Sequence, residues 1–183
     1  MELHFDFTES ATRASILNQI RGRLSDQQKL EMLIAADAAG VPDRDQRDFE
    51  EVCETIDDLH VSDKVKADMR AIYGILAQAE ATVHGTSVER THFHEVGRAA
   101  GVKNVCQICL AMETLSPDTV TATKVQTGSG TVECAHGVLD IPAPATAAII
   151  ATGIPTCENK GEGELLTPTS AAIIKHFVQR FDD

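Results

Sequence analysis

The chain has no tryptophan and one tyrosine, and aromatic residues make up 4% of its 183 positions. With apolar content at an ordinary 43%, the interior has to be filled by Leu, Ile, Val and Ala, which suits helices packed on a small sheet. Positive charge is also scarce. Sixteen Lys and Arg face twenty-eight Asp and Glu, for a net charge of −12. That balance argues against non-specific nucleic-acid binding, which needs Lys and Arg to neutralise phosphates. It argues equally against a polybasic membrane contact, while leaving cations free to approach. No apolar run reaches the roughly 20 residues that a membrane span needs. The opening MELHFDFTES lacks the basic start and apolar middle of an export signal. Five cysteines, an odd number, lack the pattern of a disulfide framework, so the thiols are expected to be reduced. These absences together predict a soluble, cytoplasmic protein.

What is present is helical first. Leu3–Phe7 reads as a short strand. Ile16, Leu17, Ile20 and Leu24 then recur at helical spacing. Ser25 and Gln28 fit a capping box ahead of an apolar face of Leu30, Leu33 and Ile34, and Gly40 with Pro42 ends that helix. A third helix is predicted over Asp45–Leu59. A fourth follows Ser62, with Val65, Met69, Ile72, Leu76, Ala79 and Val83 as a sustained stripe.

Composition shifts near His84, where Gly, Pro and Thr become frequent. Val102–Leu115 reads as a helix and Thr119–Gln126 as a strand. Thr131–Cys134 and Val138–Ile141 can pair around the turn AHG, and Ile154–Cys157 is a further short strand. Pro144–Ala151 is a short helix. The last helix has Thr167 as cap and Pro168 at its first position. The expected fold class is α+β: a helical N-terminal half over residues 1–84, and over 85–183 a small mixed β-sheet packed against helices, the two forming one compact domain. The apolar stripes of residues 1–70 also lead to an expectation of a homo-oligomer.

Five sets of residues bear on candidate chemistry. In THFHEVG (Thr91–Gly97), His92 and His94 in an extended segment lie about 6.5–7 Å apart on one side and can share a metal ion. Imidazole pairs suit Zn, Ni, Cu or Fe. Glu95 can add a ligand, orient a ring or accept a proton; equally, one ring can bond a backbone carbonyl while Glu95 starts the next helix. His136, on the AHG corner, is a third ligand or a simple turn histidine. His84 reads as the cap of the fourth helix, where a cationic ring meets the negative end of the dipole. In KGEGELLTPTSAA, the helix start offers Thr167, Thr169 and Ser170 to a phosphate or carboxylate, with Glu164 beside it; an ordinary Thr-Pro cap reads the same way. Cys106 and Cys109 share a helix face, as small core residues or as a redox pair.

The stretches AEATVHG (Ala79–Gly85), HFHEVG (His92–Gly97), GSGTVECAHGVLDIPAPAT (Gly128–Thr146) and GELLTPTSAAI (Gly163–Ile173), in this order and spacing, resemble the N-terminal part of the LarC-type nickel insertion proteins. The resemblance covers roughly residues 70–181. It implies a nickel chelatase that completes the nickel-pincer nucleotide cofactor of lactate racemase, acting on a pyridinium bisthiocarboxylate mononucleotide and forming Ni–S and Ni–C bonds with CTP hydrolysis. It further implies nickel held by His92, His94 and His136, Glu95 as proton acceptor or orienting group, and a precursor phosphate near Thr167, Thr169, Ser170 and Glu164.

Departures accompany the likeness. The family's Gly/Ser-rich DCFSGISGDM-like opening is replaced by MELHFDFTES. Its two aspartates after HEVG, in an AVDSIVD-like run, are lost in RAAGVKNV, and TPTG has become TPTS. The C-terminal domain of full-length members is not in this sequence and would be a separate partner. Two other functions stay open: a catalytically silent relative that binds, carries or regulates through nickel, and a zinc-type metal hydrolase using the same histidines with Glu95 as general base.

Overall fold

The computed structural model describes residues 1–158 and 160–182. In chain order its elements are β1 (Glu2–Phe5), α1 (Arg13–Arg21), α2 (Asp26–Ala38), α3 (Phe49–Asp58), α4 (Asp63–His84), α5 (Ala99–Leu115), β2 (Thr119–Ala122), β3 (Gly128–Ser129), β4 (Thr131–Cys134), β5 (Gly137–Asp140), α6 (Pro144–Ile150), β6 (Gly163–Glu164), α7 (Pro168–Phe177) and β7 (Arg180–Phe181). Helix starts are fixed by side chains that satisfy otherwise orphaned N–H groups. Ser25 and Gln28 form the expected capping box on α2, and Thr167 with Ser170 forms one on α7. Ser62 caps α4. Helix α3 begins later than predicted because Asp48 caps it and boxes with Glu51.

Helix α4 is the axis of the interior. Val65, Met69, Ile72 and Tyr73 have no exposed surface, and they pack in one apolar cluster with Val102, Val105 and Ile108 of α5. Cys106 and Cys109 belong to the same cluster. Burial pushes the Cys106 thiol up to about 11 and the Cys109 thiol well above its ordinary value, so both are core residues rather than reactive thiolates. The described cysteines are all unpaired. Among the described residues no helix is long and apolar enough to cross a membrane.

The class is α+β as expected, but parallel and antiparallel pairings occupy separate small sheets. Strands β1, β2 and β7 form a parallel sheet in the order β1-β2-β7. Leu3 pairs with Val120 and Phe5 with Ala122, and all four are buried. The antiparallel pairs are β3 with β6 and β4 with β5. Strand β2 stops at Ala122, short of the predicted Gln126, where the Phe7 N–H, in the segment that continues β1, donates to the Thr123 hydroxyl (2.8 Å) and not to backbone. The expected strand at Ile154–Cys157 reduces to one bridge, Val125 with Thr156.

Helix α2 is turned relative to expectation. Leu30, Leu33 and Ile34 are 54, 43 and 61% exposed, and Met32 is the buried residue. Gln28 reaches the Thr114 carbonyl at the end of α5 (3.5 Å), while Ala35 and Ala36 pack on the core. Small side chains on that face let the helix approach closely, so alanine outcompetes the larger residues for the interior.

Candidate functional site

Four parts of the chain converge on a cavity of about 710 Å³. The last turns of α4 contribute Glu80 and His84, and the loop before α5 contributes His94 and Glu95. The β4–β5 hairpin contributes His136, and the run into α7 contributes Glu164, Thr167 and Thr169. These are the four stretches singled out in the sequence.

Each wall has a local cause. Glu80 and His84 stand four residues apart on a helix and therefore share a face; the His84 Nε2 is 3.3 Å from a Glu80 carboxylate oxygen. The end of α4 is closed by Gly85 in the left-handed conformation (φ 62°), whose N–H bonds the Ala81 carbonyl. The HFHEVG segment is clamped from both sides. The buried Tyr73 hydroxyl donates to the Val96 carbonyl (2.8 Å), the Gln46 N–H donates to the Gly97 carbonyl (2.8 Å), and the Phe93 ring packs 5.9 Å from that of Tyr73. A side chain at Gly97 would collide with the Gln46 carbonyl oxygen. That close approach explains the glycine after His-Glu-Val.

The hairpin tip is held by Glu95. One of its carboxylate oxygens accepts from the Ala135 N–H at 3.2 Å, next to His136. The His136 ring then lies 5.3 Å from that of His84 and, edge-on, 4.9 Å from that of His94. The donor atoms of Glu80, His84 and His136 all lie within 4.8 Å of one another. His92 takes a different place. It pairs with Asp48 in an isolated bridge and lines a smaller cavity of about 360 Å³ that also includes Arg47, Arg98 and His94. The structure thus brings His94 and His136 together and sends His92 to the neighbouring face.

The α7 side presents a helix start to the cavity. The N-terminus of α7 points partial positive charge at the cavity, and Thr167 and Thr169 line it along with Arg13. Ser170 is fully buried, and its hydroxyl bonds the Thr167 backbone (2.9 Å to N, 3.1 Å to O). It shapes the cap and does not face the cavity. Glu164 is half-buried in β6; its carboxyl is raised above its ordinary range, first by burial and then by the Glu95 charge. Counting on from His94–Gly97, the second aspartate of the resembled run falls at Asn104, which lines the cavity, and the first at the exposed Ala100.

Sequence reasoning missed Glu80 and the outward role of His84. The signal was present in AEATVHG, where Glu and His are spaced i,i+4 at the end of a helix, but the glycine that takes over the capping made the histidine look like part of the cap.

Residues 3–183 match the sequence profile of the family described as nickel insertion protein. A protein of Maridesulfovibrio salexigens, provisionally named a nickel insertion protein, is 38% identical over 137 residues, 75% of this chain and 33% of the relative. A pyridinium-3,5-bisthiocarboxylic acid mononucleotide nickel insertion protein of Staphylococcus epidermidis is 40% identical over 135 residues, 74% of this chain and 34% of the relative. One of Staphylococcus saprophyticus is 40% identical over 129 residues, 70% of this chain and 33% of the relative. The chain spans about a third of the length of these relatives. No solved structure matches it. By the extent of that profile match and the identity to these relatives, the chain belongs to the nickel insertion protein family.

Proposed function

We propose that the cavity is where a nickel ion meets a pyridinium bisthiocarboxylic acid mononucleotide, with this chain supplying the nickel-receiving portion of a chelatase that also uses a C-terminal portion. The observation that carries the reading is the convergence of all four motif stretches on one cavity of about 710 Å³, within the roughly 300–1,000 Å³ of small-molecule sites. In this reading the mononucleotide phosphate lies at the α7 N-terminus by Thr167, Thr169 and Arg13, with Ser170 supporting the cap. Nickel enters on the imidazole side of the cavity, where the His94 and His136 rings meet. Nickel is substrate, and it exchanges nitrogen and oxygen donors for the two thiocarboxylate sulfurs and a ring carbon.

Formation of the Ni–C bond releases the proton of that carbon, which needs an acceptor. Glu95 lines the cavity and uses one carboxylate oxygen on the Ala135 N–H; its second oxygen is the acceptor in this reading. Glu164, close enough to feel its charge, stands ready to share the proton. In this reading CTP acts through that C-terminal portion.

The test mixes this chain, Ni²⁺, CTP, the precursor and the C-terminal portion of a relative, and follows nickelated product by mass. Product that requires this chain is expected. No product under any of these conditions sinks the reading. A second reading, a silent nickel carrier, is favoured by Asn104, which keeps a hydrogen-bonding side chain but no charge where the family run has aspartate. Asn104→Asp separates the two: product that appears only with the aspartate restored means the natural chain binds without turning over.

A further inference from the structure

His84 is not needed where it stands for the sake of the helix. Gly85 and Thr86 both donate their N–H groups to the Ala81 carbonyl, closing α4 through backbone alone (3.0 Å for Thr86). The ring instead turns to Glu80. An exposed Glu–His pair at this spacing is ordinary on a helix surface, but this one is not isolated. His136 arrives from a hairpin some fifty residues away, and its tip is pinned by Glu95 at a place that sets its ring against that of His84. Around the cluster, Glu95, Glu133 and Glu164 add negative charge to the cavity walls, against Arg13. Such a site is short of a cation.

We propose that Glu80, His84 and His136 are the protein ligands of the divalent ion in this cavity, with Glu95 as a positioning residue that holds His136 through the Ala135 N–H. The inference takes only the identity of the ion, nickel, from the preceding reading; the ligand set comes from geometry. Bonds of about 2.0–2.2 Å from an ion to N and O donors separate neighbouring donor atoms by about 3 Å. Glu80 and His84 already stand at 3.3 Å. His136, exposed on a two-residue turn with Gly137 at φ 95° beyond it, closes the remainder by side-chain rotation. His94 touches the His136 ring but does not belong to this mutually close trio.

Two imidazoles and one carboxylate suit nickel and leave further coordination positions open. Those positions face the cavity, where an incoming sulfur can bind before the protein ligands let go. The exchange involves no electron transfer. Soft sulfur donors displace imidazole and carboxylate, which makes this a site of delivery and not of storage. The ligand set also differs from a His92–His94 pair, which would place the ion at the edge of the smaller cavity.

Equilibrium dialysis of the whole chain against Ni²⁺ tests the proposal, with circular dichroism confirming the fold of each variant. One ion per chain is expected. His84→Ala, His136→Ala and Glu80→Gln should each weaken binding by about 100-fold or more, beyond the roughly 10–100-fold typical of an outer-shell loss. Glu95→Gln should cost about tenfold, and the remote His60→Ala nothing. Unchanged binding in His84→Ala and His136→Ala, or loss confined to His92→Ala, overturns the proposal. So does a wild-type chain that binds no nickel. As a second measurement on the unaltered chain, substoichiometric Co²⁺ should broaden the imidazole proton resonances of His84 and His136 before those of His92. Broadening of His92 first overturns the assignment without any variant. Failure of the two ideas can be told apart. Nickelated product from a chain whose binding ignores these substitutions removes the ligand set and keeps the function. Binding that depends on them without product keeps the ligand set and removes the insertion reading.

Discussion

Helix α4 carries two carboxylate–imidazole pairs with opposite surroundings. Near its N-terminus, Asp68 meets His176 of α7 at 2.9 Å and Lys64 at 2.7 Å, and the Asp68 side chain is 14% exposed. Near its C-terminus, Glu80 meets His84 at 3.3 Å; the two carboxylates are about equally covered, but the His84 side chain is 44% exposed against 23% for His176. The groups are alike and the contexts are not. The first pair ties two packed helices together, and both Asp68 carboxylate oxygens have partners within the fold. The second opens onto a cavity with another imidazole in reach. The comparison teaches that a His–carboxylate pair becomes a candidate ligand set only when something else in the fold leaves its coordination incomplete.

The closed end should carry the stability and the open end the chemistry. The largest loss is expected for Met69→Ala, which empties a fully buried position between the two pairs. Removing such a side chain typically costs about 3–4 kcal/mol, read as a lower urea midpoint with nickel binding retained by the molecules that stay folded. Next comes Gly97→Ala, which drives a methyl into the Gln46 carbonyl. Overpacking of this kind costs about 2–3 kcal/mol, and here it also displaces the loop bearing His94 and Glu95, so nickel affinity should fall together with stability. A Gly97→Ala chain that keeps both properties would show that the clamp on HFHEVG is not what positions the site.

Much of the scaffold was legible because it is local. The capping box at Ser25–Gln28 and the cap at Thr167 depend on neighbouring residues, and they sit where the pattern put them, with Ser170 completing a box on α7 that was not read from the sequence. The AHG hairpin and the α4 stripe are equally short-range, although Val83, predicted at the end of that stripe, is exposed. Helix α2 was misread because periodicity ranks faces by side-chain size, while close packing against α5 selected Met32 and alanines. The site was legible only in pieces. His94, Glu95 and His136 were named from motifs, and the structure gathers them in one cavity. That His92 turns away depends on its bridge to Asp48, a contact of forty-four residues' separation that no spacing rule contains. Glu80 and His84 acquire meaning only when the hairpin arrives, through a single hydrogen bond from Ala135 to Glu95.

A smaller effect tests the closed pair through pH. Burial works to raise the Asp68 carboxyl, but hydrogen bonds from His176 and Lys64 outweigh it and hold the group below its ordinary value of 3.8. A carboxyl depressed in the folded state binds its proton more readily when unfolded. Its stabilisation is therefore complete above the unfolded value and is lost as pH falls through the folded one. Asp68→Asn should cost about 1–2 kcal/mol at neutral pH, the range for a hydrogen bond to a charged group reduced for partial exposure. The gap between the two proteins should close below about pH 4. A gap that persisted in acid would assign the cost to packing of the asparagine and not to charge.

The smallest stability change belongs to the open pair. His84→Ala removes an exposed ring from a helix end already closed by Gly85 and Thr86. Surface substitutions of this kind stay within about 0.5 kcal/mol, and an exposed i,i+4 pair contributes only about 0.3–0.5 kcal/mol. In metal-free buffer the thermal midpoint should therefore stay nearly where it was. With saturating Ni²⁺ the wild-type midpoint should rise, because an ion bound only by the folded chain stabilises it in proportion to the logarithm of its excess over the dissociation constant. His84→Ala should not show that rise, and Asp68→Asn should show it in full from a lower starting point. The two variants thus invert each other's behaviour, one losing stability and keeping the ion's effect, the other keeping stability and losing it. Equal metal-induced shifts in both would mean that the open pair is as structural as the closed one.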